Sequence, residues 1–145
     1  MRAQALAALA RREHSRQELQ RKLRARGHAE EDISALIDDL AGQRLQSDER
    51  YVEVYIRSRA ERGYGPQRIA LELKQRGAGA ALVKSAMDSA ECDWLALAAR
   101  ADRKKFGPLT DRSALALAKR RRHLEYRGYS PDQIKSVLNG EHELD

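Results

Sequence analysis

The sequence predicts an all-α fold: three tandem three-helix modules forming an elongated single chain, straight or curved. Three observations predict it. Apolar residues recur with helical spacing, the motif Leu-x-x-Arg-Gly returns three times, and no run alternates with the period of two that a half-buried strand needs. The motif occupies Leu23–Gly27, Leu73–Gly77 and Leu124–Gly128, so its glycines stand 50 and 51 residues apart, a period typical of helical arrays.

Each element then follows in order. An Ala-Leu-rich helix over Ala3–Arg12 opens the chain. Ser15-Arg16-Gln17-Glu18 reads as a capping box, in which the Ser hydroxyl and the Glu carboxylate each satisfy a free main-chain N–H, and it starts a second helix bearing Leu19 and Leu23. Gly27 suits the left-handed position that ends that helix. Ile33, Leu36, Ile37 and Leu40 then mark one face of a third.

The cycle repeats. Asp48 to Arg62 forms the fourth helix, Pro66 takes the first turn of the fifth, Gly77 ends it, and Val83, Ala86, Met87 and Ala90 line the sixth. Asp93 to Phe106 forms the seventh, a basic eighth helix runs to Gly128, and Ser130-Pro131 opens a ninth with Ile134, Val137 and Leu138, closed by Asn139-Gly140. The modules are accordingly 1–44, 45–92 and 93–145.

Composition narrows the function classes. The 145 residues carry 28 Lys+Arg against 22 Asp+Glu, a net charge of +6, with 41% hydrophobic but 5% aromatic residues, which predicts several small cores and not one large one. No window approaches the ~20 consecutive apolar residues of a membrane span. The N-terminal stretch has no long apolar signal region, and the single Cys92 cannot form an internal disulfide, so a reducing cytoplasm fits best.

Charge keeps the same beat as the helices. Residues 1–27 carry +6 and 28–54 carry −6; then follow +4 over 55–77, −2 over 78–98, +7 over 99–128 and −3 over 129–145. Glu30, Glu31 and Asp32 have a local cause, because a helix N-terminus favours anions. The gathering of Lys and Arg on the other helices has no such cause and predicts recurring basic stripes.

Catalysis finds little support. His14, His28, His123 and His142 are scattered without metal-ligand spacing, and no Ser or Cys has a His placed for pairing, so no metal, no cofactor and no enzymatic activity is expected. Gly63-Tyr64-Gly65-Pro66 precedes a helix N-terminus as a phosphate loop would, but it lacks the Gly-Lys-Ser/Thr ending; a tight helix-to-helix turn with Tyr64 packed locally is the plainer reading. The binding candidates are basic. Lys104 and Lys105 beside Phe106, with Arg120, Arg121 and Arg122, would bring cations together if their helices pack antiparallel. Arg57, Arg59 and Arg62 with Tyr55 form a similar patch. Such density can be solvation alone, or a surface for a polyanion or an acidic protein. Aromatics interleave too sparsely to make base stacking obvious.

Several segments together resemble the RecX family. Leu45-Gln46-Ser47-Asp48-Glu49-Arg50-Tyr51 with Tyr55, Arg59, Gly63-Tyr64-Gly65-Pro66, Arg68-Ile69, Glu72-Leu73 and Gly77 carries the resemblance at the centre. His14 to Leu19 with Lys22-Leu23, Asp93-Trp94, Lys104 to Gly107 and Leu124 to Tyr129 extend it over nearly the whole chain. It implies three tandem three-helix modules. It also implies binding to the RecA recombinase and its filament on single-stranded DNA, with inhibition of strand exchange, ATP hydrolysis and co-protease activity in DNA repair and the SOS response. The expected protein is a monomer without a membrane partner. One departure stands out: Arg120 occupies the position of apolar Leu19 and Ile69, so the third module either packs differently or turns its basic helix outward. The alternative function is an autonomous, sequence-nonspecific DNA binder whose modules act like helix-turn-helix units.

Overall fold

The computed structural model describes residues 1–141, which leaves His142 and the last residues of the third module outside the described residues. Among the described residues there are nine α-helices and no strand: α1 (Arg2–Arg11), α2 (Arg16–Ala25), α3 (Glu30–Gly42), α4 (Asp48–Glu61), α5 (Pro66–Gln75), α6 (Ala80–Ser89), α7 (Trp94–Phe106), α8 (Ala114–Arg127) and α9 (Pro131–Leu138). Among the described residues no helix is long and apolar enough to cross a membrane.

Local chemistry sets these boundaries. At the start of α2 the Ser15 hydroxyl accepts from the Glu18 N–H (3.1 Å) while the Glu18 carboxylate accepts from the Ser15 N–H (3.2 Å). Ser130 and Gln133 make the same reciprocal box at α9, with Pro131 in the first turn. The side chains of Asp93 and Ser113 cap α7 and α8. Gly27, Gly77 and Gly128 all have positive φ, 87°, 84° and 100°, so the repeated motif marks three helix stops of one geometry.

The chain divides into two compact units, one built from Met1–Tyr55 and Leu73–Ala86, the other from Ile56–Glu72 with the chain from Met87 onward. In the first, α2 packs against α1 and α3. Ala5 and Ala8 let α1 lie close over Leu19, Leu23, Ile33, Leu36, Ile37 and Leu40, all buried. The loop into α4 is tied back to α2: buried Gln46 donates to the His14 carbonyl oxygen (3.3 Å) and to Asp48 (3.0 Å), and Asp48 accepts from the Arg16 N–H (2.7 Å). In the second unit α7, α8 and α9 pack mutually around Ala98, Leu124, Tyr129, Ile134, Val137 and Leu138.

The turn after α4 and the turn after α8 meet in this second unit, main chain to main chain. The Gly65 N–H donates to the Arg127 carbonyl (2.7 Å) and the Gln67 N–H to that of Gly128 (2.9 Å). The buried Tyr129 hydroxyl donates to the Gly63 carbonyl (2.9 Å), and burial pushes its pKa up to about 12, so it remains a donor. Neither Gly65 nor Gly128 has room for a side chain. A Cβ on Gly65 would stand 2.5 Å from backbone atoms of Gly128 and Tyr129.

Candidate partner-binding surface

The basic residues separate into exposed and spent groups. Arg57 lies exposed on α4 and Arg62 just beyond its end; Lys104 and Lys105 are exposed in the last turn of α7, and Arg121 and Arg122 on α8. None of these six has a carboxylate within ion-pair distance among the described residues. The C-terminal end of α7 accounts for part of the lysines' placement, since a helix C-terminus favours cations. Nothing similar accounts for the mid-helix pair on α8.

Arg120 does not belong with them. Only 6% exposed, it bonds Asp102 at 2.7 Å and donates to the carbonyl oxygens of Gly107 (3.2 Å) and Pro108 (3.0 Å), with its guanidinium 5.2 Å from the Phe106 ring. It points into the unit and not outward, because the end of α7 offers it carbonyls and an anion that solvent-facing neighbours lack. The expectation that Arg120 contacts a partner is therefore corrected: its donors are used internally. Asp102 is 5% exposed, and its Oδ1 has no hydrogen-bond partner among the described residues.

Arg59 is intermediate. It is half-buried and grips Glu72 through two bonds of 2.9 and 2.8 Å, and its guanidinium lies 3.8 Å from the centre of the Tyr64 ring. Arg68 and Arg127 flank the same ring at 4.5 Å each, and Arg68 also lies 4.9 Å from the centre of the Tyr126 ring. Tyr64 thus does pack locally, in a cluster of guanidinium groups. Sequence reasoning missed Arg68, Arg127 and Tyr126. The available signal was the equivalence of the three glycine stops, which places Arg76 and Arg127 at matching positions; each reaches toward the turn or helix of a preceding element.

Among the described residues no three or more His, Cys, Asp or Glu side chains gather as they would around a metal ion. Burial, aided by Glu61 and opposed by Arg57, raises the Cys92 thiol above its ordinary value. Burial lowers His14 and, together with Arg127 and Lys105, His123, so both imidazoles favour their neutral form.

The chain is similar to known proteins along most of its length. A family model described as the first three-helix domain of RecX matches residues 2–40, and one described as its second three-helix domain matches 47–87. The regulatory protein RecX of Halorhodospira halophila is 42% identical over 136 residues, covering 92% of this chain and 83% of the relative. That of Ectopseudomonas mendocina is 41% identical over 140 residues, covering 97% and 93%. The crystal structure of RecX from Lactobacillus salivarius superposes with a TM-score of 0.83 at 23% identity, over 96% of this chain and 92% of that one, a likeness of fold.

Proposed function

The chain belongs to the RecX family, and from that premise we propose that it docks on the RecA recombinase in its filament on single-stranded DNA. Docking restrains strand exchange, ATP hydrolysis and co-protease cleavage, and so modulates DNA repair and the SOS response. The division into modules 1–44, 45–92 and 93–145, action as a monomer and residence in the cytoplasm belong to the same proposal.

The observation that carries it is that six cations on α4, α7 and α8 or just beyond α4, namely Arg57, Arg62, Lys104, Lys105, Arg121 and Arg122, are exposed and, among the described residues, belong to the cations with no carboxylate partner. Concentrated like charge is costly in isolation and favourable against an anionic surface, so these side chains are the docking contacts. Arg59 contributes through its grip on Glu72, which fixes the end of α4.

The deciding experiment measures DNA-dependent ATP hydrolysis by RecA with this protein added substoichiometrically, beside its binding to the same DNA alone. Inhibition at concentrations that leave bare DNA unbound is expected. Inhibition that appears only as bare DNA saturates would replace docking with competition for the strand.

A further inference from the structure

We propose that Tyr126 is a base-stacking contact for single-stranded nucleic acid, standing at the open end of an alternating series of guanidinium groups and rings. The series runs Arg59, Tyr64, Arg68, Tyr126, with successive separations of 3.8, 4.5 and 4.9 Å between guanidinium carbon and ring centre. Its inner members are half-buried, and their charges are engaged. Arg59 and Arg68 both bond Glu72, and Arg68 also donates to the Tyr126 carbonyl oxygen at 3.0 Å.

The outer member is different. Tyr126 is 70% exposed, so a large aromatic ring rests on a guanidinium at one side and is open to solvent over most of its surface. An exposed ring already held in place loses little freedom when a second planar group stacks on it. The surroundings select which planar group. Arg127 lies 4.5 Å from the Tyr64 ring, its Nη1 3.5 Å from the carbonyl oxygen of Arg62, whose own side chain is exposed. One cluster thus joins the open Tyr126 ring, through Arg68 and Tyr64, to the guanidinium of Arg127, and that combination of ring and cations fits a base joined to a phosphate. A single strand can offer its bases to such a ring, whereas a duplex has already stacked them. An acidic peptide would use the cations and leave the ring idle.

The inference goes beyond docking on a recombinase, because the contact needs none. The test accordingly omits RecA and follows the anisotropy of a labelled oligothymidylate titrated with the full chain at low salt. Tyr126→Ala is expected to weaken binding by roughly tenfold, the size of one base–aromatic contact, and Tyr126→Phe to retain it. An abasic strand with the same number of phosphates should bind wild type and Tyr126→Ala alike. No binding of oligothymidylate to wild type, equal affinity for Tyr126→Ala, or the same loss on the abasic strand would each overturn the proposal while leaving docking on the filament intact. If Tyr126→Ala lowers the melting temperature, Tyr126→Trp carries the test: its indole emission should be quenched by the strand, and unchanged emission counts against stacking.

Discussion

Arg120 stands where the first two modules carry Leu19 and Ile69, both fully buried, and a guanidinium at such a position is tolerable only with its charge and donors matched. Asp102 and the carbonyls at the end of α7 match them. Arg120→Ala would strand the Asp102 carboxylate in the interior and is expected to cost about 3–5 kcal/mol, as read by denaturant unfolding. The paired replacement Arg120→Leu with Asp102→Leu should recover most of that loss, because removing both charges also removes both desolvation penalties. Failure of the pair to recover would mean that the carbonyl contacts, and not the ion pair, hold the helices together. His14 supports a prediction of a different kind. It is 3% exposed, and burial holds its pKa below the ordinary imidazole value. Between that lowered value and about 6.5 the unfolded chain binds more protons than the folded one, so stability rises with pH through this window and is lost as pH falls through it. His123, lowered by burial and by Arg127 and Lys105, acts with the same sign. The melting temperature is therefore expected to fall as pH drops below about 7, and His14→Gln with His123→Gln should flatten that slope.

At the scale of the element, the turns are more exacting than the helices they join. Gly27 and Gly128 share the left-handed conformation, but a Cβ at Gly27 meets nothing within 4 Å, while one at Gly128 would run into Arg68. Gly27→Ala is expected to cost only the strain of positive φ, about 1 kcal/mol, and Gly65→Ala distinctly more, because the facing backbone must separate and give up the 2.7 and 2.9 Å bonds of the paired turns. Chemical denaturation of the two variants ranks them; equal losses would show that the turns yield easily. The same contrast explains what was legible in the sequence. Ser15-x-x-Glu18, Pro66 and the three glycine stops act on neighbours within four residues, so their spacing alone placed the helices. The inward turn of Arg120 depends on Asp102, 18 residues away, and the Tyr64 and Tyr126 rings share Arg68 across a separation no local pattern records. Charge density on α8 therefore read as one patch of binding candidates, with the direction of Arg120 left open, although that member is buried.

Over the whole molecule, the formal charge of +6 conceals two populations of cation. Arg2, Arg12, Arg16, Arg24, Arg50 and Arg76 each pair with a carboxylate, of Asp39, Glu18, Asp38, Glu30, Glu13 and Glu18 respectively. Such pairs add little to stability where they are exposed, but each cancels field that an approaching anion would otherwise feel. Among the described residues Arg57, Arg62, Lys104, Lys105, Arg121 and Arg122 make no such pair, so position and not total charge governs docking. Arg121→Glu is expected to weaken inhibition of RecA ATP hydrolysis without changing the melting temperature, whereas Arg24→Gln, which removes a charge already matched by Glu30, should leave inhibition unchanged. Arg121→Glu lowers the net charge twice as far as Arg24→Gln, so an effect of Arg24→Gln about half that of Arg121→Glu would show that net charge alone drives association. Salt gives the complementary reading. Contacts with a strand lose affinity with a log–log slope of roughly −0.7 per phosphate, while docking that depends on matched protein surfaces falls less steeply. A shallow salt dependence of inhibition, made shallower by Arg121→Glu, is the expected outcome for a regulator held by side chains on a protein surface. A slope as steep as that of bare-strand binding would place the exposed cations on the nucleic acid instead.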